Sequence, residues 1–424
     1  MPVRAIVTGA ALLAFAAAVV SAQRRDAFVL SRDHPAIRYT TGDVDNPVAQ
    51  LNERLAKGEV RLAYEPEHGY LRSVLDALGI PVSSQSLVFS KTSFQADLVT
   101  MHNPRAIFFG DNVFVGWVRG ADLLEIATAD RRQGSIFYAL PQKAPSGTGA
   151  PVVLQRQNDC LACHLSWDTR GVPGLLTTSM YPLPDDPNAY ANGFTTVQGS
   201  PLEQRWGGWW VTGDTGGAQH LGNFPVMPAE KNFAHPRNPK APLATVEGFF
   251  DLKGYPAKTS DVVAQLVLAH ETTIINLIAR LGWEARVAES EPSPDAASRV
   301  KDAAGELADS MLMLDETPLD GAIHGSSGYA EWFAAQGPKD GQGRSLRELD
   351  LKTRLFRYPC SFLIYGPAFD GLPPAAKQAV YARFLEVLSG RDTRKITQHL
   401  SAADRQAILQ ILRDTKPDLP ESFR

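Results

Sequence analysis

The residues with the clearest chemical signature are Cys160, Cys163 and His164, in the run Asn158-Asp159-Cys160-Leu161-Ala162-Cys163-His164. Their spacing is C-x-x-C-H, the attachment pattern of a covalent c-type haem. Two thiols separated by two residues can add to the two vinyl groups on one haem edge. The next residue then sits where its imidazole reaches the iron. On this reading Cys160 and Cys163 are thioether anchors and His164 is the proximal iron ligand. The competing readings are a surface disulfide and half of a zinc site. A zinc site wants four protein ligands, and the chain has no second C-x-x-C and no H-x-x-H. A single C-x-x-C-H means a single covalent haem. The third cysteine, Cys360, lies in the apolar run Tyr358-Pro359-Cys360-Ser361-Phe362 and reads as a buried, inert thiol.

Cys160 to Leu175 resembles the haem site of class I cytochromes c. The motif is followed by Gly171-Val172-Pro173-Gly174-Leu175, similar to the Gly-Pro-Leu stretch that crosses the proximal side of the haem in that family. The resemblance implies that the Pro173 carbonyl accepts the hydrogen bond of His164, orienting the ring and tuning the iron. It also implies a methionine as sixth ligand on a proline-flanked loop. Phe224-Pro225-Val226-Met227-Pro228 has that form, which makes Met227 the candidate. The likeness stops there. Pro141 to Gln157 is a poor match to the helix that precedes the family's motif. Asn232 to Pro242 is a loop where the family has its C-terminal helix. Other side chains able to take the sixth position are His220, His102, His235 and Met180. His270, beside Glu271 in a helical pattern, reads as a satisfied structural histidine.

Arg205-Trp206-Gly207-Gly208-Trp209-Trp210 holds three of the seven tryptophans. Tryptophan rings can pack on a porphyrin, and Arg205 can pair with a haem propionate. The same run equally suits a core strand interrupted by a glycine bulge. Gly213-Asp214-Thr215-Gly216-Gly217 lacks the strand and helix that would make it a phosphate loop, and no G-x-S-x-G or H-E-x-x-H occurs.

The elements that must position these residues fall into three segments. Residues 23–154 read as mixed. Helical patterns cover Pro47 to Lys57 and Leu71 to Leu78. Short apolar runs follow at Ser86 to Phe89, Ala106 to Phe109, Val113 to Val118, Leu123 to Ala127 and Ser135 to Leu140. Gly110-Asp111-Asn112 between two such runs predicts a hairpin, so the sheet is expected to be mainly antiparallel. Ala144 to Pro151 is a loop and a boundary. Residues 155–255 are rich in Gly, Pro and Trp, with little sustained period, and read as an irregular haem-binding segment carrying one short strand at Val246 to Phe250. Residues 256–424 read as helical. A long helix from Val262 to Arg280 starts on Ser260-Asp261 and is stopped by Gly282. Further helices are expected at Pro294 to Leu314, Gly328 to Ala335, Ser345 to Phe356, Pro374 to Leu388 and Ser401 to Leu412. The last opens on the capping-box pattern Ser401-Ala402-Ala403-Asp404. The fold class is α+β.

Met1 to Ala22 has the form of a secretory signal peptide: Arg4, then an apolar run from Ala5 to Val20, then Val20-Ser21-Ala22. The apolar run is shorter than the roughly 20 residues that span a bilayer, which favours cleavage over anchoring. No later apolar run reads as a span, so a periplasmic or secreted protein is expected. The 424 residues are 44% hydrophobic and 21% charged with a net charge of −4, a globular profile with no basic surplus for nucleic acid. The function classes left are an electron carrier, working with a redox partner protein or a small-molecule donor or acceptor, and a haem-dependent oxidoreductase. In the second class His220 serves the distal side and Arg205 stabilises charge.

Overall fold

The computed structural model describes residues 31–144, 152–180, 193–223 and 242–423. The signal-peptide segment, Met227 and His235 lie outside the described residues, as does most of the expected boundary loop at Ala144 to Pro151. The architecture is α+β, as expected.

Two short helices come first, α1 (Pro47–Ala56) and α2 (Leu71–Leu78). Asn46 caps α1 with its side chain on the Ala49 N–H, and Gly79 ends α2 in the left-handed region, φ +68°. Six strands follow: β1 (Ser86–Val88), β2 (Arg105–Gly110), β3 (Val113–Trp117), β4 (Leu123–Asp130), β5 (Gly134–Pro141) and β6 (Gln155–Arg156). They pair antiparallel in chain order, as a meander. The β2–β3 hairpin closes at Gly110 opposite Val113, so Asp111-Asn112 is the turn.

Successive strand residues face opposite ways, and the register sorts the two faces. Ile136, Tyr138 and Leu140 of β5 share a face with Leu124 and Ile126 of β4. The first helices pack on that side: the Asn46 amide reaches the Tyr138 hydroxyl at 3.2 Å. The opposite face carries Phe137 and Ala139 of β5, Glu125 and Ala127 of β4, Gly116 of β3, and Ile107 and Arg105 of β2. This second face receives the C-x-x-C-H segment.

The segment contains one helical turn, α3 (Leu161–His164), and a hairpin of β7 (Thr177–Met180) with β8 (Gly193–Thr196), which the sequence pattern did not disclose. Val246 to Phe250, expected as a strand, holds a turn at residues 247–249 instead. The rest is helical: α4 (Val262–Ser290), α5 (Pro294–Met311), α6 (Tyr329–Ala335), α7 (Pro367–Asp370), α8 (Pro374–Leu388) and α9 (Ala402–Thr415). Helix α4 is the axis of the molecule and packs against α5, α6, α7 and α8 as well as β5 and β7. Asp261 caps it through Val263 N–H and Ala264 N–H. Its first five turns are buried all round, as expected of a helix inside a core.

Two further sequence expectations are corrected here. Gly282 does not stop α4; it lies inside the helix, which runs on to Ser290. Ser345 to Phe356 is not a helix. The Asp350 carboxylate accepts the N–H groups of Lys352 and Thr353, which holds a turn that local side-chain bonding favours over a helix. Helix α4 is by length and composition apolar enough to cross a bilayer, and its most apolar stretch is wholly buried inside the protein. One hydrophobic cluster includes residues of the sheet, the haem-motif segment and the helical part. The capping box of α9 forms in full, with Ser401 and Asp404 bonding each other's backbone.

Candidate haem-attachment site

In α3, Cys160 is the N-cap residue, and its carbonyl accepts from both Cys163 N–H (3.2 Å) and His164 N–H (3.0 Å). One turn therefore carries both thiols and the imidazole on successive positions of one face. Both thiols are free, Cys163 exposed and Cys160 partly so. The Cys160 thiol is pushed up to about 11, by burial first and by the Glu125 carboxylate next, so it is a neutral S–H.

His164 leans on β5, its ring 4.7 Å from that of Phe137 at 44°. Its Nδ1 bonds the carbonyl of Gly174 at 2.8 Å. This corrects the expectation for Pro173 by one residue. The Pro173 carbonyl turns the other way and accepts the Ser135 N–H of β5 at 2.9 Å. The two carbonyls of the strap are thus claimed by different partners, that of Pro173 by β5 and that of Gly174 by the ring. Burial lowers the His164 pKa, the Gly174 bond partly opposing it, which keeps the ring neutral. With Nδ1–H donating, the lone pair is on Nε2, the atom an iron would take.

The strap from Val172 to Leu175 is fixed from three sides. Besides Pro173 on β5, Gly174 N–H returns a bond to the His164 carbonyl at 2.9 Å. From α4, Asn276 accepts the Leu175 N–H at 2.8 Å and donates to the Leu175 carbonyl at 2.7 Å. Gly174 has to be glycine at this crossing, because a Cβ would stand 2.4 Å from the Asn276 Oδ1 and 2.9 Å from Thr169. Asn276 was missed in the sequence because it lies in a helix whose apolar period was read as core alone.

The sheet face beside the motif holds an ion pair that the sequence reading also missed. Arg105 of β2 reaches across β3 to Glu125 of β4, with Nη2 2.7 Å from the carboxylate and both side chains about one-fifth exposed. Ser93 Oγ donates to the same carboxylate at 3.1 Å. Between them is Gly116, where a Cβ would meet the guanidinium within 2.4 Å. The Arg105 Nε is buried and has no hydrogen-bond partner. The charges of both residues act on Cys160 and on His164. Ile107, Ala127 and Leu165 are only partly covered. The available signal was Gly116, an isolated glycine inside an apolar strand, which marks a close approach by another group.

Arg205 does not stand ready for a propionate. It is 4% exposed, its Nε donates to the Ser200 carbonyl and its Nη2 to the Gln198 carbonyl, and burial lowers its pKa to about 10. Its donors close a loop in the core. The tryptophans are core residues, on a turn rather than the expected strand: Gly207-Gly208 is the turn, with Gly208 at φ +82°, Phe89 N–H bonds the Gly208 carbonyl, and Trp209 makes an isolated bridge to Val88. All three rings are buried, with Trp209 Nε1 donating to Thr178 and Trp210 Nε1 to Met101.

Of the other ligand candidates, His220 is buried, its Nδ1 accepts the Gly222 N–H at 3.0 Å, and burial lowers its pKa to about 4. His102 is exposed and Met180 is buried. His270 is satisfied at both nitrogens, by Gln198 at 2.7 Å and Ser361 at 2.8 Å. Cys360 is fully buried. Among the described residues no group of three or more His, Cys, Asp or Glu side chains gathers as for a bare metal ion. The side chains present fit a haem, which brings four nitrogens of its own: two free thiols and an oriented imidazole lie on one helical turn, and an unpartnered cationic donor lies on the sheet face that the imidazole packs against. No family model matches the chain, and neither the curated proteins nor the solved structures contain a match.

Proposed function

We propose that this chain is an exported monohaem c-type cytochrome that transfers electrons. Cys160 and Cys163 hold the haem, His164 is the proximal ligand, and Met227 is the sixth ligand. The bond from His164 Nδ1 to the Gly174 carbonyl carries the reading, because it commits Nε2 to acceptor chemistry and fixes the ring plane before any iron is present. The haem supplies the one-electron couple. The chain's own residues orient the imidazole through the strap, bury it against Phe137, and keep it neutral. The partner is a redox protein or a small-molecule donor or acceptor in the periplasm or outside the cell.

Optical spectra test the reading. A filled coordination shell gives a low-spin oxidised spectrum with a weak thioether-to-iron band. Met227→Ala removes that band and opens the iron to cyanide. A change on His220→Ala with none on Met227→Ala assigns the sixth position to His220 instead. High-spin iron in the untouched protein overturns the carrier reading in favour of a haem-dependent oxidoreductase with an open distal side.

A further inference from the structure

The ion pair beside the motif leaves one donor of its cation without a partner. Arg105 is held from one side only: Glu125 takes Nη2, while Nε is buried without a partner. An orphaned donor of a charged group is costly unless something fills it. The guanidinium is also kept from turning away, since it lies in the slot left by the missing side chain of Gly116. A planar fork with one free arm suits a carboxylate. Arg105 and Glu125 lie on the sheet face on which Phe137 meets the His164 ring, so the carboxylate belongs to whatever group that segment holds. A haem brings two propionates.

Resting on the haem reading above, we infer that Arg105 is the cation that receives a haem propionate, with Glu125 as the internal counter-ion that holds the guanidinium in the Gly116 slot. Arg205, the cation suggested by the sequence, has its donors spent on carbonyls. Arg105 is a positioning residue. Arg105 would hold a propionate while Cys160 and Cys163 would hold the vinyl groups, and its positive charge would favour the reduced state of a bound haem.

The test is resonance Raman of the propionate bending modes, together with the midpoint potential, on the holoprotein in carboxylate-free buffer. Arg105→Gln should keep covalent haem through denaturing electrophoresis, move one propionate mode to lower frequency, and lower the potential. Arg105→Lys, which keeps the charge but loses the fork, should move the Raman mode with a smaller change in potential. Glu125→Gln should raise the potential. If Arg105→Gln and Arg105→Lys leave both propionate modes and the potential as in the wild type, the assignment is overturned. It is also overturned if the modes stay fixed and the difference between Arg105→Gln and wild type appears only on adding acetate, which would make the arginine a site for an external carboxylate. A wild-type protein without covalent haem sinks the haem reading itself, a result separable from either of these.

Discussion

Asn276→Ala probes how the helical part holds the haem-motif segment. The side chain is 5% exposed and makes two hydrogen bonds to one residue, accepting Leu175 N–H and donating to Leu175 C=O. Alanine leaves both backbone groups buried and unpaired. Each orphan costs about 1–3 kcal/mol, and since the two share one peptide neighbourhood we expect a total of about 2–4 kcal/mol. That is a sizeable part of the roughly 5–15 kcal/mol that holds a domain folded. Asn276→Asp keeps the acceptor but loses the donor and sets a carboxylate oxygen against the Leu175 carbonyl, so it should cost at least as much. Urea unfolding followed by tryptophan fluorescence and by circular dichroism reads the change, as a midpoint shift at constant slope. A loss below about 1 kcal/mol for Asn276→Ala would show that the strap is held by β5 and the motif without α4.

Asp261→Ala should lower stability by about 3–5 kcal/mol in the same urea assay, because the buried carboxylate caps α4 through Val263 and Ala264 and also accepts Ser326 N–H (2.6 Å) and Ser327 N–H (2.8 Å). Asp261→Asn keeps the cap, loses the loop bonds, and should fall in between. For His270, burial lowers the pKa to about 3 from an ordinary 6.5. The unfolded chain therefore takes up a proton below pH 6.5 that the folded chain refuses until about pH 3. The stability this histidine contributes is complete above pH 6.5 and is lost as the pH falls toward 3. Glu316, raised to about 7 mainly by burial, acts in the opposite sense between pH 4.5 and 7, so the comparison is by difference. The urea midpoint of His270→Phe should lie below wild type at pH 7.5 and fall less steeply on acidification; parallel profiles would contradict the assignment.

Much of the fold could be read from local signals because those signals survive in the structure. Asp111-Asn112 sits at the β2–β3 turn, Asp261 starts α4, and Ser401 with Asp404 closes the box on α9. What escaped was tertiary in origin. Gly282 looked like a helix end because nothing in the local sequence tells a glycine inside a helix from one that closes it. The β7–β8 hairpin is built of Thr, Ser and Gly with little apolar alternation, so periodicity had nothing to detect. At the site, Cys160, Cys163 and His164 were plain from spacing, whereas the choice between Pro173 and Gly174 depended on which carbonyl of the strap β5 claims. Arg105 and Glu125 lie far upstream of the motif, and only the strand register brings them beside it.

Covalent attachment is the claim on which everything else depends. The protein should be made in a host with cytochrome c maturation machinery, denatured, run on a gel and stained for haem peroxidase activity. The band should stain in the wild type and lose its stain when Cys160→Ala and Cys163→Ala are combined, while His164→Ala with both thiols intact alters the iron's spectrum. An unstained wild-type band, or a double variant that still carries haem through denaturation, would contradict the account.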